Sequence, residues 1–311
     1  MRIGLIFALL LISLLPAGCG VQSQQGEGSD ITARAVITKD FGKELILDET
    51  VTLKKDATVR DLLISVADVE LTYGGRFIEA IEDISSKAPV KEDWLYYVNG
   101  VSFNKGIAET RIFDGDVVSF DFQDWRFRTF TPALAGYFPE PFLHGVEGAL
   151  RPALIVYESS FIDEARALED RLKAAGVKEV SAVSAEHLDD SLLRYPHVIV
   201  VGTSSNRLVV EMNGVWDRLG FFARFEAGGL TVYDAQGRVA AEYHSDAGVI
   251  QATQNPWNPR GIGVCENVAW MVSGTDENGV RAAAQALIEN PAGFERAFGA
   301  VVYGGEIISI P

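Results

Sequence analysis

The pattern of hydrophobic and polar positions divides the chain near residue 125. Before this point, alternating segments predict strands at 31–38 and 43–53, followed by a stretch with the three- and four-residue spacing of a helix. Thr58 is a candidate N-cap for that helix. Two strands, a helix and a later hairpin predict an α+β domain over residues 31–124, with its sheet packed on one helix. The apolar positions of the helix are Val59, Leu62, Leu63, Val66 and Val69.

Strand and helix patterns alternate in the second half of the chain. This alternation predicts an α/β domain over residues 152–311 with a mainly parallel sheet. A hairpin is expected around Asp234–Gly237, and the closing segment 300–310 is expected to add an edge strand. The predicted strands are 154–157, 177–183, 197–201 and 268–272, and the predicted helices are 162–175, 206–219 and 277–288.

Residues 125–151, between the two domains, combine prolines with aromatic residues. Prolines at this density exclude a regular helix, and so many aromatic side chains are not typical of a free linker. We expect a connector that packs along one or both domains. Its aromatic residues are also suited to form one wall of a groove at the domain junction.

The most informative motif is the aromatic strand Trp94–Val98, which ends at Asn99-Gly100. Asn-Gly is the preferred dipeptide of a two-residue hairpin turn, because both positions need φ above zero. An acidic turn follows at Asp114–Asp116, and the sequence Tyr73–Phe77 (YGGRF) follows the predicted helix. With these three features, residues 31–124 resemble the β-grasp family that includes the C-terminal domain of transcobalamin and intrinsic factor.

The resemblance implies a ubiquitin-like β-grasp fold and a ligand-binding function, with a corrinoid such as cobalamin as the ligand. In those carriers this hairpin faces the corrinoid, and a large helical domain covers the other side. No segment of this sequence predicts such a helical domain, so the α/β domain would have to replace it. The alternative is that the aromatic positions of the strand simply pack on the helix. The ligand face implied by the resemblance consists of Tyr96, Tyr97, Val98, Asn99 and Phe103.

The loop Gln254–Gly261 is the best candidate site in the second domain. Two Asn-Pro steps stiffen its backbone and present Trp257 and Arg260, a combination that suits a sugar or a flat ligand. The alternative is that Trp257 packs over the end of the sheet. The Gly-Thr turns at 202–203 and 274–275 either bind an anion at the helix that follows or simply cap that helix.

The charge of the chain and the motifs it lacks argue against several classes of function. A formal net charge of -16, without a cluster of Lys and Arg, excludes nucleic acid as a partner. The four histidines lack metal-ligand spacing, and the chain has neither a G-x-S-x-G nucleophile elbow nor a phosphate-binding loop. The sequence therefore predicts no catalytic residue, no metal and no required cofactor. A hydrolase that uses two carboxylates brought together by the fold stays open as an alternative.

The N-terminus predicts export. One positive charge and a short apolar run form a signal peptide over residues 1–18, and Cys19 follows a small residue pair as in a lipobox. We expect lipidation of Cys19 and a polar tether at 19–30, with ordinary signal cleavage near Ala17 as the alternative. The protein would then be anchored at the outer face of the bacterial cell membrane. Cys265 would remain a buried, inert thiol without a disulfide partner.

Together these features predict an envelope lipoprotein that binds a small-molecule ligand, specifically a corrinoid, at the hairpin or the domain junction. The lipid would attach the protein to the membrane. A membrane transporter or another envelope protein would be the partner that receives the ligand. The alternative function is a non-catalytic interaction or adhesion module for a protein or a cell-wall glycan. The third is an enzyme acting on envelope polysaccharide.

Overall fold

The computed structural model describes residues 29–311, so the predicted signal peptide, Cys19 and most of the polar tether lie outside the described residues. The described chain is a mixed α+β structure that consists mostly of strands in four sheets, with few helices. Among these residues, no helix combines the length and the apolar character needed to cross a membrane.

The first half of the chain forms a five-stranded sheet and a small three-stranded sheet around one helix. Thr58 begins that helix, since its side chain accepts a 3.3 Å hydrogen bond from Asp61 N while the Asp61 carboxylate accepts one from Thr58 N at 2.9 Å. The elements are β1 (Ile31–Lys39), β2 (Glu44–Leu53), α1 (Val59–Val66), β3 (Val69–Thr72), β4 (Phe77–Ile81), β5 (Ile84–Ser85), β6 (Glu92–Val98), β7 (Val101–Ser102) and β8 (Val117–Asp124).

The five-stranded sheet, called the first sheet below, has the order β2-β1-β8-β6-β7. Its central pair, β1 and β8, is parallel, and the other neighbours are antiparallel. β6 and β7 are joined by the predicted turn, in which Asn99 has φ 52° and Gly100 has φ 71°. Both values are positive, as a type I′ turn requires. α1 packs on one face of this sheet through Val59, Leu62 and Leu63.

The second half forms a seven-stranded sheet, called the second sheet below, and a further three-stranded sheet. Its elements are β9 (Ala153–Tyr157), α2 (Ile162–Ala175), β10 (Val180–Ser184), β11 (His197–Thr203), α3 (Arg207–Gly214), β12 (Ala223–Glu226), β13 (Gly229–Tyr233), β14 (Val239–Tyr243), β15 (Gly248–Gln254), β16 (Val268–Gly274), α4 (Glu277–Glu289), β17 (Gly299–Tyr303) and β18 (Glu306–Ile310).

The second sheet is mixed, which corrects the expectation of a mainly parallel sheet. Its order is β10-β9-β11-β16-β15-β17-β18. The pairings from β10 to β16 are parallel, and those from β16 to β18 are antiparallel. The sequence pattern missed β15, which supplies the first antiparallel neighbour. All seven of its residues are buried, but the polar residues in GVIQATQ interrupt the apolar run that marks a buried strand.

Polar side chains in β15 are compatible with burial because they bind backbone groups. The Gln251 carboxamide accepts hydrogen bonds from Phe222 N at 3.1 Å and Ala223 N at 2.9 Å, and it donates to Ala223 O at 3.0 Å. This side chain therefore fastens β12 and its small sheet to the second sheet. α3 ends at Gly214, earlier than the predicted helix, and the Asn213 carboxamide then pairs with the backbone N and O of Phe225.

The connector lies between the two large sheets and binds both. Leu134 N donates to Gly100 O at 2.8 Å, and Ala135 N donates to Phe298 O at 3.2 Å. Phe41 and Tyr97 from the first sheet share one buried cluster with residues of the second sheet. The two halves of the chain are therefore joined by a common core.

Candidate ligand site

A groove of about 300 Å³ opens beside the aromatic hairpin of the first sheet. Tyr96 and Phe103 stack nearly parallel in it, with ring centroids 6.3 Å apart and an interplanar angle of 20°. Phe77 stands at its edge and is 59% exposed. We call this feature the hairpin groove, and it is lined by Arg76, Phe77, Ile78, Asp93, Trp94, Leu95, Tyr96, Ser102, Phe103, Asn104, Lys105, Gly106 and Ile107.

The far wall of the hairpin groove is formed by residues 102–107, which leave the sheet after the two-residue strand β7. The Tyr96 hydroxyl reaches across to this wall and donates to Lys105 O at 2.7 Å, with Thr110 Oγ1 at 2.8 Å on its other side. Burial raises the pKa of Tyr96 well above its usual value. The hydroxyl therefore stays protonated and fixes the ring as one flat face of the groove.

Every charged side chain that lines the hairpin groove has a polar partner. Arg76 pairs with Glu109 at 2.8 Å, and Lys105 pairs with Glu147 of the connector. The Asp93 carboxylate accepts from Ser86 Oγ and from Trp94 N at 3.0 Å. The surface left for a ligand is therefore mainly aromatic and aliphatic, which suits an uncharged, flat molecule better than an ion.

The ligand face implied by the resemblance is divided between the two sides of the sheet. Successive side chains of a strand point to opposite faces, so Tyr96 faces the groove while Tyr97 faces the second sheet. The Tyr97 ring is 1% exposed and contacts Phe298 edge-on at 5.7 Å. Val98 and Asn99 are also in the interior, at 2% and 1% exposed. A ligand in the groove would contact Tyr96 and Phe103 but not these three residues.

Trp257 and Arg260 lie away from the hairpin groove. Trp257 Nε1 donates to Glu211 Oε2 of α3 at 3.0 Å, and the indole packs on the cluster shared by both sheets. Arg260 forms an ion pair with Glu266. The chain just after this loop nevertheless reaches the groove, because Asn104 Nδ2 donates to Gly263 O at 2.8 Å.

The two Gly-Thr turns lie side by side at one end of the second sheet, where Ser204 N donates to Gly274 O at 3.2 Å. Asn206 caps α3, and Asp276 caps α4 by accepting from Gly279 N at 3.0 Å. Thr203 N donates to the carboxylate of Glu158 at 3.2 Å. A carboxylate at this position repels anions, so the geometry favours the capping role over anion binding.

Several groove residues were not predicted from the sequence, although the motifs contained a signal for them. Phe77 ends the YGGRF motif, and residues 102–107 follow the Asn-Gly turn directly. Neither position could be assigned to a groove without knowing which face of β6 is open. Within residues 29–311, no group of three or more His, Cys, Asp or Glu side chains is arranged to hold a metal ion.

A family comparison matches the segment of the chain that contains the YGGRF, Asn-Gly and Asp-Gly-Asp motifs. Residues 56–124 match a family described as "Domain of unknown function (DUF4430)", which spans under a quarter of the chain and contains most of the groove-forming elements. A crystal structure described as that of a "putative metal binding protein" from Ruminococcus gnavus ATCC 29149 is 18% identical, covers 30% of this chain and 96% of its own, and has a TM-score of 0.23. No curated protein matches the chain.

Proposed function

We propose that the protein is a non-catalytic binding protein that takes up a small, flat, uncharged ligand in the hairpin groove. The observation that supports this most directly is the Tyr96–Phe103 stack, which offers aromatic surface in an open groove whose charged groups already have partners. A groove of about 300 Å³ is at the lower end of the range for small-molecule sites. Part of a larger ligand would therefore protrude from it.

A corrinoid is the specific ligand we propose, on the basis of the resemblance of residues 31–124 to the β-grasp domain of the cobalamin carriers. A corrin ring is flat and carries apolar methyl groups and neutral amides, which suits the groove. We also propose that Cys19 is lipidated, which would hold the protein at the outer face of the cell membrane. A membrane transporter would then receive the ligand.

A second candidate function rests on an exposed aromatic pair at the edge of the hairpin groove. Tyr73 is 80% exposed and packs edge-on against Phe77, with ring centroids 5.5 Å apart. Exposed aromatic pairs of this kind occur at protein and glycan contact sites. In this candidate function Tyr73 and Phe77 contact another macromolecule, and the groove only borders that contact surface.

The proposal is tested by titrating the full-length chain with cobinamide and cobalamin, followed by calorimetry and by the corrin absorbance band. Nile red serves as a neutral, flat probe that has no corrin chemistry. Phe77→Ala and Phe103→Ala remove groove surface. Tyr303→Ala is the matched control, because Tyr303 is a 45% exposed aromatic residue on β17, outside the groove.

We expect corrinoid binding at micromolar or lower Kd, about -8 kcal/mol or better. Both groove variants should weaken it about tenfold or more, and Tyr303→Ala should not. If Nile red binds in the groove but neither corrinoid does, the ligand is not a corrinoid and the groove remains a binding site. If no probe binds, ligand binding is wrong and the contact surface around Tyr73 becomes the leading function.

A further inference from the structure

The far wall of the hairpin groove is held in place by a side chain of the second sheet. Gln254, the last residue of β15, is 1% exposed and lies at the junction of the two sheets. Its Nε2 donates to Ser102 O at 3.0 Å, at the point where the groove wall begins. Its Oε1 accepts from Gly263 N at 2.8 Å and from Cys265 N at 2.9 Å. One carboxamide therefore links the wall to the loop of the second half.

Two further contacts connect the same partners. Cys265 Sγ donates to Ser102 O at 3.3 Å, so this carbonyl accepts from both the amide and the thiol. Asn104, on the wall itself, donates to Gly263 O at 2.8 Å. By contrast, backbone hydrogen bonds are few in residues 103–105. Regular bonding resumes at Gly106 O, which accepts from Glu109 N at 2.9 Å, and at Ile107 N, which donates to Arg76 O at 3.2 Å.

We propose that Gln254 is a positioning residue for the hairpin groove, and that through it the second half of the chain sets the affinity of a site that it does not line. The proposal rests on ligand binding in the groove. If residues 102–104 were released, Phe103 would no longer be held parallel to Tyr96. The flat surface offered to a ligand would then have to be rebuilt when the ligand binds, and the cost of ordering it would weaken binding.

The coupling has to act in both directions. If the loop 254–265 stabilises the binding-competent wall, an occupied groove stabilises that loop by the same free energy. In this proposal the second half has a defined part in ligand binding, because the hydrogen bonds from Gln254 and Cys265 to Ser102 O fix one wall of the groove.

The test uses substitutions that remove the bonds to the wall. Gln254→Glu loses the donor to Ser102 O, together with a longer bond to Pro132 O of the connector at 3.4 Å, but keeps oxygen acceptors for Gly263 N and Cys265 N. Gln251→Glu is the matched control, because Gln251 lies on the same strand, is 2% exposed, and also uses its carboxamide to accept from two backbone amides and to donate to a carbonyl. All of its partners lie in the second half, away from the groove.

Cys265 provides an independent and milder pair of variants. Cys265→Ala removes the thiol donor to Ser102 O, whereas Cys265→Ser keeps a donor at that position. The full-length variants are compared in two measurements: the Kd for the corrinoid or for Nile red, and hydrogen–deuterium exchange of the peptide that contains residues 102–107. Urea unfolding of each variant separates a change in the groove from a general loss of stability.

We expect Gln254→Glu to weaken probe binding about tenfold and to speed exchange in residues 102–107, with Cys265→Ala changing both in the same direction by less. Gln251→Glu should lower stability without either effect, and Cys265→Ser should resemble the wild type. Unchanged affinity and unchanged exchange in folded Gln254→Glu and Cys265→Ala would overturn the proposal. If the wild type binds no probe, the proposed function fails, and the exchange measurement alone decides whether Gln254 holds the wall.

Discussion

Asn99 donates a 2.8 Å hydrogen bond from its carboxamide nitrogen to Oδ1 of Asp116. This bond joins the two most recognisable motifs of the chain, the Asn-Gly turn and the Asp-Gly-Asp turn, on one side of the first sheet. The same nitrogen donates to Gly145 O of the connector at 2.9 Å, and Asn99 Oδ1 accepts from Val117 N at 2.9 Å. Asn99 therefore has a second role beyond its positive φ, because it also fastens the connector to the sheet.

We predict that Asn99→Gly lowers the free energy of unfolding by about 2–4 kcal/mol. Glycine keeps the positive φ of the turn, so the loss measures the side-chain bonds alone. Without them, Asp116 Oδ1, Gly145 O and Val117 N each lose the partner that Asn99 provides. Lys91→Gly is the control, since Lys91 also has positive φ, at 59°, but is exposed. That change should stay within about 1 kcal/mol, as measured by urea unfolding. Equal losses in both variants would mean that the Asn99 bonds add little.

At Gly115, the centre of the Asp-Gly-Asp turn, a side chain is predicted to destabilise the fold for two separate reasons. Its φ is 86°, and a Cβ atom there would overlap the ring of His144. Gly261 has nearly the same φ, 82°, but open space around it. Gly261→Ala should therefore cost about 1 kcal/mol of stability for strain alone, and Gly115→Ala about 1–3 kcal/mol more.

A double substitution separates the two reasons. The steric part of the destabilisation depends on the His144 ring. In a His144→Ala background, Gly115→Ala should therefore lower the free energy of unfolding only by the cost of backbone strain. The urea-unfolding free energies of the four proteins form a complete cycle. An additive result, with no recovery in the double variant, would show that the overlap is relieved in some other way.

Local chemistry explains which parts of the fold could be predicted from the sequence. The Asn99-Gly100 turn and the Thr58 cap depend on residues that are neighbours in the chain, and the structure has both. The order of the second sheet depends on pairings between distant segments. β15 illustrates the limit, since its glutamines look like surface residues until their backbone partners are known.

The candidate site was predictable only in part, for the same reason. The Asn-Gly motif predicted the hairpin turn, which the structure has. The sequence of β6, however, does not indicate which face of the strand will be covered by the second sheet. Tyr97 is buried because Phe298, about two hundred residues later, packs on it. The bond from Gln254 to the wall of the groove was equally hidden, because Ser102 lies 152 residues before it in the sequence.

The stability of the protein is predicted to fall as the pH rises towards neutrality, because of Asp121. This carboxylate is 2% exposed, and burial raises its pKa from the usual 3.8 to about 7. Between these values the native protein holds a proton that the unfolded chain has released. Since the unfolded state then binds fewer protons, the contribution of Asp121 to the free energy of unfolding decreases as the pH increases, by roughly 4 kcal/mol in total.

Unfolding in urea at a series of pH values from about 4 to about 8 measures this slope. Asp121→Asn should remove most of the dependence of the unfolding free energy on pH up to about pH 7. Asp116→Asn should reduce that dependence only below about pH 6, because burial raises the pKa of Asp116 to about 6. A slope that survives unchanged in Asp121→Asn would assign the pH dependence to other groups.

Phe41 is predicted to determine whether the two halves of the chain unfold together. It lies in the turn between β1 and β2, is 3% exposed, and packs edge-on against Phe222 at 5.4 Å and Phe298 at 5.0 Å. Phe41→Ala removes first-sheet surface from the shared core, which should cost about 3–5 kcal/mol. Phe77→Ala is the matched control, because that ring is largely exposed and its loss should cost about 0.5 kcal/mol or less.

Differential scanning calorimetry shows whether Phe41→Ala destabilises one cooperative unit or only the contact between two independent units. If the shared core makes the halves one cooperative unit, the wild type unfolds in a single transition and Phe41→Ala moves that whole transition to lower temperature. If the halves are independent, two transitions are present from the start. The substitution then weakens only the contact between them and leaves at least one transition in place. The first outcome is expected, because Val36, Phe41 and Tyr97 belong to the same buried cluster as the strands of the second sheet.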